Sequence, residues 1–315
     1  MRAAVLEEFG KPPRYREFDD PQAGSHEIAV TVAAAALKQL DRALASGRHY
    51  ASPATLPVVC GTDGVGKTAA GERVYFAVNR RPFGAMAEIT PAAWTVPVPH
   101  DLATATAAAI VNPALGAWLP LQWRGELVAG ETVLVLGATG ATGRQAVAAA
   151  RLLGAGRVIA AGRDPMVLAG LGADETIDLA LDGPALQDRF AGIAARGLDV
   201  IVDYVWGTPA ELLISVLARS DLKAGEGRPI RLVSVGEMAG ATIALPSTAL
   251  RGSWLDIRGS GTGNFPPLEA LKSTVAAILD HALRGDIAIA VAECPLSEIE
   301  TRWNDRSGAR LVFLP

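Results

Sequence analysis

Residues 132–164, TVLVLGATGATGRQAVAAARLLGAGRVIAAGRD, decide how the rest of the chain reads. Thr132-Val133-Leu134-Val135-Leu136 is a short apolar run that stops at glycine, the pattern of a strand buried in a parallel sheet. Gly137, Gly140 and Gly143 follow within seven residues. Ala141 to Leu153 is rich in good helix formers, with Val147, Leu152 and Leu153 apolar, and Gly154-Ala155-Gly156 ends it. Arg157 to Ala161 is a second apolar strand. The stretch is one β-α-β unit with a glycine-rich first turn.

A strand-to-helix turn this tight needs small residues, and small residues let a pyrophosphate approach the backbone. The start of the helix then offers unpaired N–H groups and the positive end of its dipole. Ala138-Thr139-Gly140-Ala141-Thr142-Gly143 fits the G-x-G-x-x-G spacing, with alanine in the first seat. The motif follows a strand, opens a helix and precedes a second strand, so dinucleotide binding is expected. The competing reading is a tight turn with no ligand. The end of the second strand bears on the cofactor. A carboxylate there would suit a free ribose 2′-OH, but Gly162 and Arg163 occupy the place. A guanidinium can make a forked contact with a 2′-phosphate, which points to NADPH. The competing reading has Asp164 reaching the ribose and Arg163 as a solvated charge.

The chain of 315 residues is half apolar and one fifth charged, enough for two packed domains. A net charge of −4 gives no broad basic field for nucleic acid. Cys60 and Cys294, far apart in sequence, suit a reduced cytoplasmic protein better than a disulfide framework. No signal peptide is read after Met1-Arg2. The longest apolar region, Ala105 to Leu121, is interrupted by Asn112-Pro113 and Gly116, so a buried helix pair is expected there and not a membrane span.

Residues 1–115 read as β-rich. Met1 to Leu6 is expected to pair with Tyr15 to Phe18, and Glu27 to Ala35, Glu72 to Ala77 and Gly84 to Thr90 are expected strands. Lys38 to Ser46 reads as a short helix, and Gly61, Gly64 and Gly66 suggest a bulged strand. Helices are expected over Ala103 to Val111 and Leu115 to Trp123, on either side of the Asn-Pro pair. From Glu131 strands and helices alternate for about 130 residues, as in a doubly wound sheet. Leu198 to Tyr204 and Ile230 to Val235 are further strands, Leu268 to Arg284 is a helix, and Ile287 to Glu293 and Leu311 to Leu314 return to strand. Cofactor contacts are expected beyond the carboxyl ends of the strands, at Val235-Gly236 and Gly259-Ser260.

This order of pieces resembles the medium-chain dehydrogenase/reductase superfamily and, within it, the zinc-independent quinone oxidoreductases. The residues that carry the likeness are Leu40-Asp41 with Gly47 and Tyr50, Pro57 and Gly61-Thr62-Asp63-Gly64-Val65-Gly66, Val96 to Leu102, the glycine corner, Gly172 to Asp178, Leu198 to Asp203, Pro295-Leu296-Ser297 and Gly308 to Val312. The resemblance implies a Rossmann nucleotide-binding domain over 116–285. It also implies a β-rich, GroES-like barrel domain over 1–115 and 286–315. It implies a homodimer as well. Relatives that use catalytic zinc supply cysteine where this chain has Leu40 and a His-Glu pair where it has Thr62-Asp63, and the four-cysteine cluster of structural zinc is missing, so no bound zinc is expected.

Without a metal, reduction of a polarised acceptor such as a quinone or an α,β-unsaturated carbonyl is the easier chemistry. The resemblance places Tyr50 over the substrate, where a phenol could donate to a developing oxyanion or simply wall the pocket. Lys38 stands where the family commonly has asparagine. It could polarise a carbonyl, bind an acidic substrate or be a solvated charge. Asp41 could fix the local turn. Asn112 could meet the nicotinamide or cap the helix that follows. Gly116 replaces a threonine of many relatives. The alternative function is an NADPH-binding protein with little turnover, serving as a sensor, structural or adaptor protein.

Overall fold

The structure, a computed structural model, describes residues 1–218, 228–305 and 308–315. The chain divides into two units, Met1–Asn112 with Leu268–Pro315, and Pro113–Pro267. The boundaries expected from sequence fall at 115/116 and 285/286. The helix over 268–284 goes with the first unit.

In the first unit, β1 (Arg2–Leu6) pairs with β2 (Arg14–Glu17), Ala4 opposite Tyr15. Next come β3 (Ile28–Ala36), α1 (Gln39–Ala45), the two-residue β4 (Val58–Val59), β5 (Asp63–Thr68), β6 (Arg73–Ala77), β7 (Ile89–Ala92) and β8 (Trp94–Pro97). The second unit opens with the rest of α2 (Thr104–Leu119) and a π-helical turn over Pro120–Arg124. It continues through β9 (Thr132–Leu136), α3 (Ala141–Leu152), β10 (Arg157–Gly162), α4 (Pro165–Ala169), β11 (Glu175–Asp178), α5 (Gly183–Ala194), β12 (Val200–Asp203), α6 (Gly207–Leu217), β13 (Ile230–Ser234), α7 (Ser247–Arg251) and β14 (Leu255–Gly259). The chain then returns to the first unit with α8 (Leu268–Arg284), β15 (Val291–Pro295), α9 (Ile299–Arg302) and β16 (Arg310–Leu314).

The second unit's sheet runs β11-β10-β9-β12-β13-β14, every pair parallel. That order reverses direction at β9, so β9 and β12 flank the switch point where open α/β sheets bind ligands. Both faces of such a sheet are covered, which is why its strands are continuous apolar runs. Leu134, Leu136, Ile159, Ile201 and Leu232 pack with Phe190 of α5 and Leu213 of α6 in one buried cluster. In the first unit a seven-stranded sheet runs β15-β16-β3-β5-β6-β8, with β7 on β3, and β16 brings the chain's end back against β3. A register shift in β3 between Val32 and Ala34 faces the glycine-rich β5, so the irregularity lies on the partner strand.

Three expectations are corrected. Asn112-Pro113 does not split two helices: α2 continues through Pro113. Ala107 to Val111, Ala114, Ala117 and Trp118 are all buried, and that burial offsets the roughly 3 kcal/mol an internal proline costs. The strand expected from Gly84 begins only at Ile89. Before it, Met86 bonds irregularly to both sides, its N–H to the Cys60 carbonyl and its own carbonyl to the Ala4 N–H. The last return begins at Val291 rather than Ile287. Among the described residues no helix is long and apolar enough to cross a membrane.

Candidate functional site

The glycine corner contains three glycines with three different reasons. Gly137 has φ +87, a left-handed conformation, and a Cβ there would sit 3.0 Å from Val205 Cγ1. A Cβ on Gly143 would overlap the Gly137 carbonyl, so this glycine lets α3 pack onto the corner. Gly140 is different. Its φ of −73° and ψ of 165° suit any residue, and a Cβ would meet nothing nearer than the Gly137 oxygen at 3.4 Å. Neither backbone nor protein neighbours ask for glycine at 140; a Cβ would only fill open space above the start of α3. That helix has no side-chain cap and no acidic residue in its first turn, so no carboxylate of that turn answers its first N–H groups. Ala138 is buried, and its N–H is bonded to the Ala161 carbonyl. Thr139 holds the corner with its carbonyl, which accepts from Arg144 Nε at 3.1 Å.

At the end of β10, a Cβ on Gly162 would press on the Thr139 side chain at 2.5 Å. Gly162 is therefore a close-packing position that brings this strand end against the corner. Arg163 beyond it is exposed. Asp164 caps α4, its Oδ1 accepting from the Val167 N–H at 3.1 Å, ahead of Pro165. The carboxylate that competed for the ribose is thus engaged locally, and a guanidinium stands at the strand end instead.

On the other side of the switch point, Val235 and Gly236 both donate their N–H to the Asp203 carbonyl, and a Cβ on Gly236 would lie 2.7 Å from the Tyr204 oxygen. A Cβ on Gly259 would meet only Asn264 Nδ2, at 3.8 Å, and the Ser260 N–H is bonded to the Ser234 carbonyl at 2.8 Å. Asn264 ties this loop down by donating to the Gly259 carbonyl and accepting from the Gly261 N–H. Thus Ala138, Thr139, Gly140, Ala141, Thr142, Gly143, Gly162, Arg163, Val235, Gly236, Gly259 and Ser260 all line the carboxyl-end crest of one sheet. Asn112 lies half-buried inside α2, so no following helix start exists for it to cap. Gly116, one turn on, has its carbonyl hydrogen-bonded by the Tyr204 hydroxyl at 2.8 Å, and a Cβ there would crowd Thr142 at 2.9 Å.

The first unit places its two candidates in contrasting surroundings. Tyr50 is 74% exposed and stacks on His49 with centroids 4.2 Å apart. Lys38 is 1% exposed, so the solvated alternative for it fails. Its ammonium lies 3.1 Å from Asp63 and 3.5 Å from Asp41 and donates to the Ala36 carbonyl. Asp41 also accepts from the Lys38 N–H at the start of α1, and Thr62 donates to Asp63. Burial opposes charge on Lys38, but the two carboxylates outweigh it and raise its pKa. Burial also pushes Asp41 upward against the pull of Lys38, because one ammonium serves two carboxylates. Tyr75, buried near Asp63, is pushed well above the usual phenol range, first by burial and then by the Asp63 charge. Cys60 is raised by burial as well. Among the described residues no group of three or more His, Cys, Asp or Glu could hold a metal ion.

Asp203, at the end of β12, entered the sequence reading only as the last residue of a resemblance motif, and Trp206 just past it was not singled out. Asp203 is fully buried, and burial lifts its pKa to about 6 although the Val205 and Trp206 N–H groups bond to it. A carboxylate closing the apolar run of β12 was the available signal.

A nucleotide-binding α/β unit joined to a β-rich unit in two chain segments is the architecture of a dinucleotide-dependent oxidoreductase. No family model matches the chain. Over the full length of both proteins it is 28% identical to the probable NADPH-dependent quinone reductase tdiC of Emericella nidulans. The structure covers all of the quinone oxidoreductase of Thermus thermophilus, solved also with NADPH, at a TM-score of 0.78 and 28% identity. A mycobacterial quinone oxidoreductase matches over 100% of both chains at a TM-score of 0.81 and 23% identity, a likeness of fold. These homologues and structural neighbours are NADPH-dependent quinone oxidoreductases, consistent with the resemblance to the medium-chain dehydrogenase/reductase superfamily.

Proposed function

We propose that this protein is an NADPH-dependent reductase of quinones or α,β-unsaturated carbonyls. The observation that carries the reading is Gly140, a glycine the protein itself does not need, beside an uncapped helix start. Backbone N–H groups at Ala141 to Gly143 would hold the diphosphate, and the exposed Arg163 would grip the 2′-phosphate. Val235, Gly236, Gly259 and Ser260, at the ends of β13 and β14, would line the nicotinamide half. When bound, NADPH supplies the hydride. Tyr50 would donate a hydrogen bond to the acceptor oxygen. Lys38 enters the reading as an internal cation that shapes the β3–α1 corner, because its ammonium already faces two carboxylates. The same reading has the protein working without zinc, in the cytoplasm, as a homodimer; β14, an edge strand with an open ladder, supports self-pairing.

The test is loss of NADPH absorbance with a panel of quinones and enones. Turnover with NADPH favoured over NADH is expected. Tight NADPH binding with no acceptor consumed would replace the enzyme with a binder that acts as sensor or adaptor. Failure to bind either nucleotide would end the reading altogether.

A further inference from the structure

Past β12 the chain turns through Tyr204, Val205 and Trp206 into α6. Trp206 has φ +54 and ψ −155, a region that glycine enters freely and side-chain-bearing residues avoid. The next residue, Gly207, also has positive φ, at +59, so the turn uses glycine at one such position and tryptophan at the other. The strained residue is held from beneath. Asp203 Oδ1 accepts from the Val205 N–H at 2.8 Å and from the Trp206 N–H at 2.9 Å, and Trp206 bridges to Gly240. Asp203 is itself costly: it is fully buried, and its Oδ2 has no hydrogen-bond partner among the described residues. A glycine at 206 would remove the strain and much of the need for the clamp. Two unfavourable features at one turn point to a use outside the fold's own stability.

The turn's position indicates that use. Tyr204 and Val205 lie against Gly137 of the glycine corner, and the Tyr204 hydroxyl reaches the Gly116 carbonyl. The turn therefore stands at the switch point, beyond the strand adjacent to β9. The indole is half-buried on the apolar cluster formed with α5 and α6, and the rest of it is open.

We propose that Trp206 is a determinant of dinucleotide affinity: the Asp203 carboxylate fixes its backbone in a turn that touches the glycine corner through Tyr204 and Val205, and the exposed part of its indole offers a base of the bound nucleotide a flat face to pack on. Asp203 is a positioning residue that acts through Trp206. The inference rests on the dinucleotide reading above.

The experiment is a double-mutant cycle on the full chain, with Trp206→Gly, Asp203→Ala and both together, reading NADPH dissociation constants by titration calorimetry and thermal midpoints in parallel. Trp206→Gly is expected to weaken NADPH by roughly 10-fold, the scale of one base–aromatic stack, while the thermal midpoint moves little because relief of strain and loss of the indole's packing oppose each other. Asp203→Ala is expected to weaken NADPH by about 10-fold in the tryptophan background and by less than about 3-fold once Trp206 is glycine. A merely structural Asp203 would cost the same in both. Trp206→Phe should retain most of the affinity and Trp206→Leu should not, which keeps the test open if Asp203→Ala fails to fold. Titration with adenosine 2′,5′-bisphosphate and with reduced nicotinamide mononucleotide identifies which base uses the indole, since the loss on Trp206→Gly should follow one of them. NADPH binding unchanged in Trp206→Gly overturns the inference alone. Wild-type protein that binds no dinucleotide overturns it together with the functional reading.

Discussion

The Lys38 cluster and the glycine corner both concentrate polar groups, and they treat them oppositely. Around Lys38 the charges face one another out of water: one ammonium meets two carboxylates, and Thr62 donates to one of them, although one oxygen of each carboxylate has no hydrogen-bond partner among the described residues. At the corner no side chain caps the head of α3, and Gly140 puts none beside it. Residue types alone would have suggested the reverse, with the lysine as the reactive group and the glycines as a turn. The difference teaches that a ligand site is marked by a surface the fold leaves open, whereas a buried, ion-paired cluster holds structure. Breaking one region should therefore cost stability, and breaking the other should cost binding.

The largest effect is expected at Lys38. Lys38→Ala leaves two buried carboxylates without their cation, which should cost about 3–5 kcal/mol in urea unfolding. The NADPH affinity of protein that remains folded should stay within about twofold. A loss of affinity without a loss of stability would reverse the contrast drawn here. Asp203 gives the next largest effect. Its folded pKa of about 6 lies above the ordinary 3.8, so the folded protein binds the proton more tightly. The associated stability is fully present below about pH 4 and is lost as pH rises through 6. The total is up to ~3 kcal/mol. Asp203→Asn keeps an acceptor for the two N–H groups and should flatten that slope in unfolding curves taken across this range. Gly140→Val tests the corner directly. The backbone accommodates it, so the melting midpoint should barely change, while NADPH binding measured by calorimetry should weaken by roughly 100-fold. The smallest effect sharpens the cofactor choice: Arg163→Ala should weaken NADPH by roughly 10-fold and leave NADH unchanged. Equal weakening of both would remove the 2′-phosphate role.

Much of the fold was readable in the chain because its signals are local. The strand-glycine-helix-strand order of 132–164, the alternation beyond it and the pairing of β1 with β2 each depend on neighbours in sequence. Pro113 misled because the local rule, that proline ends a helix, yields when the helix is buried along nearly its whole length. Gly84 misled because the residues just after it bond to two separate segments without forming a ladder. Within the site, the motif residues could be picked out, but their separate purposes could not. Gly143 and Gly162 serve packing, Gly137 serves conformation, and Gly140 serves neither.

By itself, the order of residues determined that a parallel α/β unit exists, that its first turn is glycine-rich, and that arginine rather than a carboxylate follows the second strand. These are properties of short stretches, where periodicity and steric rules act on adjacent residues. Only the tertiary structure decided that Lys38 is enclosed by Asp41 and Asp63, that Asp164 is engaged as a helix cap, and that Asp203 holds Trp206 in a glycine-like conformation. Each depends on which distant segments fold against one another, because burial, and not residue type, sets whether a charge or a strained turn is tolerated.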